Sequence, residues 1–121
     1  MRVLPGLFFA AFLASPALAG EICKGTFADS SGAETSIELL ENDKVVYSYD
    51  GVVYTQPYRR DSKENVVFNV DGGDNVVTIR PTNNPKVVHM TWDSPAYGTY
   101  TATLRCPSAG TAQQFVELVP N

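Results

Sequence analysis

Few side chains in this chain can do covalent or acid–base chemistry. There is one histidine, His89, and it sits on the polar phase of a β-type run. A general base needs a nucleophile and an orienting acid within reach. Cross-strand pairing would bring the hydroxyls of Thr78, Thr91 or Thr99 near it, and a hydrolase built on His89 and carboxylates is the least favoured function. The simpler reading is a solvent-facing strand histidine, and the chain is expected not to be an enzyme. No Gly-x-Ser-x-Gly, phosphate-binding loop or His-Glu-x-x-His is present. The two cysteines, Cys23 and Cys106, lie near the two ends of the folded part. They read as a disulfide rather than a redox pair, which is usually Cys-x-x-Cys. Two cysteines and one histidine cannot make a four-ligand zinc site without carboxylates. Asp71-Gly72-Gly73-Asp74-Asn75 is oxygen-rich, but a calcium site needs six or more positioned oxygens, so this stretch reads as a hairpin turn. No cofactor is expected.

Binding chemistry is better represented. Tyr58-Arg59-Arg60 combines the residue types that carry interface energy through bidentate pairing, stacking and rigid area. The plainer reading is a solvated loop in which Asp61 and Glu64 neutralise the two arginines. Tyr97 sits in a second aromatic loop, Asp93-Ser94-Pro95-Ala96-Tyr97-Gly98. Tyr58, Arg59, Arg60 and Tyr97 are the expected contact residues. Trp92 shares the inward phase of Val88 and Met90, so core filling is its expected role. Tyr47, Tyr49, Tyr54 and Tyr100 are strand tyrosines that either pack the interior or, in a roomy barrel, line a pocket with Phe68 and Met90.

The elements that must position these residues are strands. Val45, Tyr47 and Tyr49 share one face, and Asp50-Gly51 then reverses the chain into Val52–Gln56. Asp-Gly between β-rich runs is the strongest short hairpin signal. Val66, Phe68 and Val70 alternate with polar or opposite-phase neighbours, as do Val77 and Ile79, then Val88, Met90 and Trp92. Tyr100, Ala102, Leu104 and Cys106 alternate with Thr99, Thr101, Thr103 and Arg105, the clearest apolar-in, polar-out pattern in the chain. Cys23, Gly25 and Phe27 form an earlier inward phase. Residues 35–41 fit a strand, although Ile37, Leu39 and Leu40 also fit a helical turn.

Connections are short and carry no helical pattern, which predicts sequential antiparallel pairing. The fold class is all-β: an up-and-down meander of about seven or eight strands. It forms a small lipocalin-like barrel or, alternatively, a two-sheet sandwich, closed by one disulfide. The bonded sulfurs would hold the first and last strands together across a loop of roughly 80 residues, worth about 4–5 kcal/mol in the chain-entropy model.

The chain of 121 residues opens with one arginine, an apolar run too short to span a bilayer, and the small-x-small end Ala17-Leu18-Ala19. Residues 1–19 read as a secretory signal, residues 20–106 as the β domain, and residues 107–121 as a C-terminal extension that adds an edge strand or lies loosely on the domain. The protein is expected to be exported, to the periplasm or beyond the cell, with no transmembrane segment in the mature chain, and to be a monomer. The formal net charge is −4 and becomes more negative when Arg2 is removed. That balance argues against nucleic acid as a partner.

The format, small, exported, β-rich and with one disulfide, is similar to that of the small periplasmic inhibitors of lysozyme. This resemblance, one of size class, implies an enzyme-inhibitor type of function as one alternative. The family's Ser-x-Gly-x-x-Tyr loop has no counterpart, because Ser30-Ser31-Gly32-Ala33-Glu34-Thr35 lacks the tyrosine, so no inhibitory residue is assigned. The leading expectation is a non-enzymatic binding module for a protein or small ligand. A small-ligand carrier using the barrel interior stands second.

Overall fold

A computed structural model describes residues 21–29 and 31–116. The secretory signal expected at residues 1–19 lies outside the described residues.

The described residues build nine antiparallel strands: β1 (Ile22–Phe27), β2 (Glu34–Leu40), β3 (Lys44–Tyr49), β4 (Val52–Pro57), β5 (Arg59–Arg60), β6 (Val66–Asn69), β7 (Val76–Pro81), β8 (Val87–Ser94) and β9 (Gly98–Arg105). Their order in the sheet is β4-β3-β2-β1-β9-β8-β7-β6-β5. The outermost two, β4 and β5, are separated only by Tyr58, so the sheet curls into a nearly closed barrel. In effect β4 and β5 are one bent strand. Its first half pairs with β3 and its second half with β6. Pro57, which has no N–H to offer a ladder, ends the first half. The gap is spanned by the buried Gln56, whose Oε1 accepts the Asp71 backbone N–H at 2.6 Å. The meander is thus an eight-stranded barrel, at the upper end of the expected count.

Residues 34–40 form a strand rather than a helical turn. Thr35, Ile37 and Leu39 point inward at period two, and pairing on both sides, with β1 and with β3, outweighs the local ambiguity. The turns follow their chemistry. Asp50 and Gly51 have φ of 50° and 86°, the paired left-handed conformation that suits the twist of a two-residue hairpin. Asn42 and Asp43 make the β2–β3 turn with φ of 64° and 61°.

The expected disulfide is formed. Cys23 in β1 and Cys106 just after β9 bond within the chain, Cα to Cα 4.2 Å, one residue beyond the Lys24–Arg105 pair that begins the β1–β9 ladder. Gly25 sits in that ladder opposite Leu104. A Cβ there would strike the Thr103 carbonyl oxygen, so this seam needs glycine for its close backbone approach.

Inward residues fill the lower half of the barrel. Ile37, Val66, Phe68, Val77, Ile79, Val88, Met90 and Leu104 are all fully buried. The described part of the C-terminal extension, residues 107–116, closes this end with a short helix and contributes no strand. Ser108 caps a short helix, α1 (Ala109–Gln113), by accepting the Thr111 N–H at 3.1 Å. Phe115 follows, fully buried, and its carbonyl accepts the Val66 N–H at 2.8 Å. The apolar pair Phe115 and Val116 is drawn into the barrel end instead of onto a sheet edge, because the open base offers more apolar surface to cover. Residues 117–121 lie outside the described residues.

Candidate functional site

In an up-and-down barrel, alternate turns share an end. The β1–β2, β3–β4, β6–β7 and β8–β9 connections therefore meet at the end opposite α1. There the interior is open, forming a cleft of about 400 Å3. Its walls are aromatic. Strand β3 contributes Tyr47 and Tyr49, β4 Tyr54, β1 Phe27, β8 Trp92 and β9 Tyr100, and Tyr97 stands on the β8–β9 turn. Val70, Asn75, Ser31 and Asp29 complete the lining.

The rings brace one another in pairs. Tyr47 stacks on Tyr54 with centroids 5.9 Å apart, Phe27 meets Tyr49 edge-on at 5.6 Å, and Trp92 tilts against Tyr100 at 5.5 Å. Such pairs add about 0.5–1.5 kcal/mol each beyond area burial. Tyr47 also reaches down to Phe68 at 5.6 Å, so it forms the floor between cleft and filled core. Burial pushes the Tyr47 phenol well above its usual range, and it stays neutral.

Short polar contacts hold the rim. Ser94 Oγ accepts the N–H groups of Ala96 at 3.2 Å and Tyr97 at 3.1 Å, fixing the turn that carries Tyr97. Thr99 donates to Asp93 Oδ1 at 2.7 Å across the base of the same hairpin. Asp29 Oδ1 accepts the Ser31 N–H at 3.1 Å. Tyr97 itself is 71 % exposed and projects over the opening.

The four expected contact residues do not form one surface. Tyr97 lines the cleft, whereas Tyr58, Arg59 and Arg60 lie on the strand that closes the barrel. The Arg60 guanidinium lies 5.6 Å from the Tyr58 ring centroid and donates to the carbonyls of Glu64 at 2.8 Å and Gln114 at 2.9 Å. Arg60 thus ties β5 to the end of the C-terminal helix. Arg59 donates to Asn69 Oδ1 at 2.7 Å on the outer wall, and Tyr58 packs against the core. His89 is also on the outer wall, opposite Arg80 on one side and Thr103 on the other. The hydroxyl residues Thr78, Thr91 and Thr99 are not its direct cross-strand partners.

Trp92 and the strand tyrosines point inward as expected, but they lie high enough in the barrel to bound a cleft rather than fill a core. Phe68 and Met90 are fully buried beneath the floor and do not line it. The barrel is filled below and open above, so the alternatives of hollow and packed are each true of one half. Assigning alternate turns to one end was the sequence signal that would have grouped Phe27, Tyr49, Tyr97 and Asp29.

Among the described residues, no group of three or more His, Cys, Asp or Glu side chains is arranged to hold a metal ion. No helix among them is long and apolar enough to cross a membrane. The cleft offers phenol hydroxyls, ring surface and a carboxylate, which suit recognition of a small molecule. Fold and site together define a small, disulfide-pinned β-barrel with an aromatic cleft at one end. Comparison with protein-family models, curated proteins and solved structures finds no match for the chain.

Proposed function

We propose that this chain is an exported, monomeric, non-enzymatic binding module that takes a small ligand into the aromatic cleft. The observation that carries the reading is the cleft itself. Seven rings from five strands and one turn surround an opening of about 400 Å3, within the usual size of a small-molecule site. An apolar recess exposed to water marks an interaction site, whereas the other end of the same barrel is plugged by Phe115. Preformed rings on rigid strands lose little conformational freedom when a ligand binds.

The reading differs from one centred on Tyr58-Arg59-Arg60. Arg60 is occupied by two backbone carbonyls and Arg59 by Asn69, which favours a structural role for that cluster.

The test uses the chain's single tryptophan, Trp92, which lines the cleft and makes intrinsic emission a local reporter. A screen of organic cations, organic anions, neutral aromatics and simple saccharides is read by Trp92 emission and by amide shifts. The expected result is at least one class that binds saturably, with Tyr97→Ala weakening it about tenfold. Failure of all four classes, or binding that is indifferent to Tyr97→Ala and Tyr54→Ala together, refutes the cleft as the binding site.

A further inference from the structure

The open end of this barrel carries acidic groups alone, whereas the rest of it carries both signs, with Glu38, Glu41, Asp43, Asp61 and Glu64 beside its lysines and arginines, and that asymmetry points to a ligand class for the cleft. At the open end the turns and the strand residues beside them carry Asp29, Glu34, Asp50, Asp71, Asp74 and Asp93, all exposed. No lysine or arginine occurs in residues 28–34, 49–52, 69–76 or 93–99. Every lysine and arginine after Arg2 lies elsewhere. Lys24, Lys44, Arg80, Lys86 and Arg105 sit towards the helix-plugged end, and Arg59, Arg60 and Lys63 on or beside the closing strand. Arg59 comes nearest to the opening, but its guanidinium is held by Asn69 on the outer wall. Among the described residues, the only charged side chain lining the cleft is Asp29.

We propose that the cleft binds a small organic cation, an alkylated ammonium, held over its aromatic rings and drawn in by the acidic rim. This rests on the proposed small-ligand function and adds the charge of the ligand. Aromatic faces carry negative quadrupole density, and ammonium groups bearing methyls are weakly hydrated and leave water readily for such a wall. A single-sign rim around a low-dielectric recess focuses its field into the opening and raises the local concentration of counter-charge. An anionic ligand would meet six carboxylates and no cationic partner. A neutral aromatic ligand would gain nothing from the acidic rim.

Two compounds of equal shape isolate the charge. Choline and its uncharged carbon isostere 3,3-dimethylbutan-1-ol are titrated into the full mature chain and followed by Trp92 emission and calorimetry. The expected result is choline binding at least tenfold tighter than the isostere. Added salt should weaken choline binding and leave the isostere unchanged, because the rim carboxylates are exposed and screened. Asp29→Asn keeps the side-chain oxygen that accepts the Ser31 N–H while removing the charge. It should lower choline affinity several-fold without altering the isostere or the melting temperature. Binding of the isostere equal to or tighter than that of choline overturns the proposal, as does preference for an organic anion in the wider screen. Binding of neutral aromatics or saccharides with no response to choline overturns the cation assignment and leaves the cleft reading standing. Silence from every class overturns both.

Discussion

Breaking the Cys23–Cys106 bond should lower stability through the unfolded chain rather than through the barrel. The bond spans a sequence separation of 83. The chain-entropy relation for a loop of that length gives about 15 cal/mol/K, or about 4.5 kcal/mol at 25 °C. In the folded protein β1 and β9 are already joined by a ladder from Lys24–Arg105 to Phe27–Ala102, so removing the cross-link leaves that pairing in place. The cost therefore falls on the freed unfolded ensemble. It is a large share of the roughly 5–15 kcal/mol that a domain of this size has in total. At about 4–8 °C per kcal/mol, the full entropic value corresponds to roughly 18–36 °C in Tm, and a drop of at least about 10 °C is expected after allowing for a compact denatured state. The assay compares oxidised protein with Cys23→Ala/Cys106→Ala by thermal and urea unfolding under far-UV circular dichroism. The m-value should rise in the variant, because an uncross-linked chain exposes more surface. The near-UV signal of Trp92 should stay as in the wild type. A Tm change under about 3 °C with an unchanged m-value would refute the argument.

Other outcomes follow from single sites. Gly25→Ala places a methyl against the Thr103 carbonyl and should destabilise by about 2 kcal/mol or more, read as a lower urea midpoint at constant m. Phe115→Ala empties the plugged end of the barrel, where the ring is fully buried, and should cost about 3–5 kcal/mol while leaving cleft binding measurable below the melting transition. The Asp61 carboxylate accepts N–H bonds from Asn65 at 3.0 Å and Lys63 at 2.9 Å, and these hold its pKa below the usual carboxylate range. Its folded pKa is depressed, so its stabilisation is present above the ordinary value of about 4 and is lost as pH falls through the folded one. The stability difference between wild type and Asp61→Asn should therefore be flat near neutral pH and shrink below about pH 4. A difference that persists unchanged to pH 2 would contradict that account.

The strand-by-strand layout was legible because it is local. Alternation fixes which side chains face in, as at Tyr100, Ala102 and Leu104, and Asp50-Gly51 specifies its own turn through two left-handed residues. The cysteine pair was legible because two cysteines far apart in sequence, without Cys-x-x-Cys spacing, have few other uses. The contacts of Tyr58-Arg59-Arg60 were not legible, for a physical reason. A two-residue ladder is too short to leave a pattern, and the duties of Arg60 lie on Glu64 and Gln114, the second far away in sequence.

The sequence by itself determined the class of fold, the inward phases and the bonded ends, since period and turn chemistry act over a few residues. Tertiary structure decided how high each inward residue sits along the barrel axis. Period two says that Tyr47, Phe68, Met90 and Trp92 all point inward, but not which of them are floor, core or wall. That depends on how the strands stagger when the sheet curls, and on Phe115 entering the base from outside the meander. The same closure gathered acid-only turns from four separate stretches onto one rim, because in a barrel neighbours are set by which end a turn occupies rather than by distance along the chain.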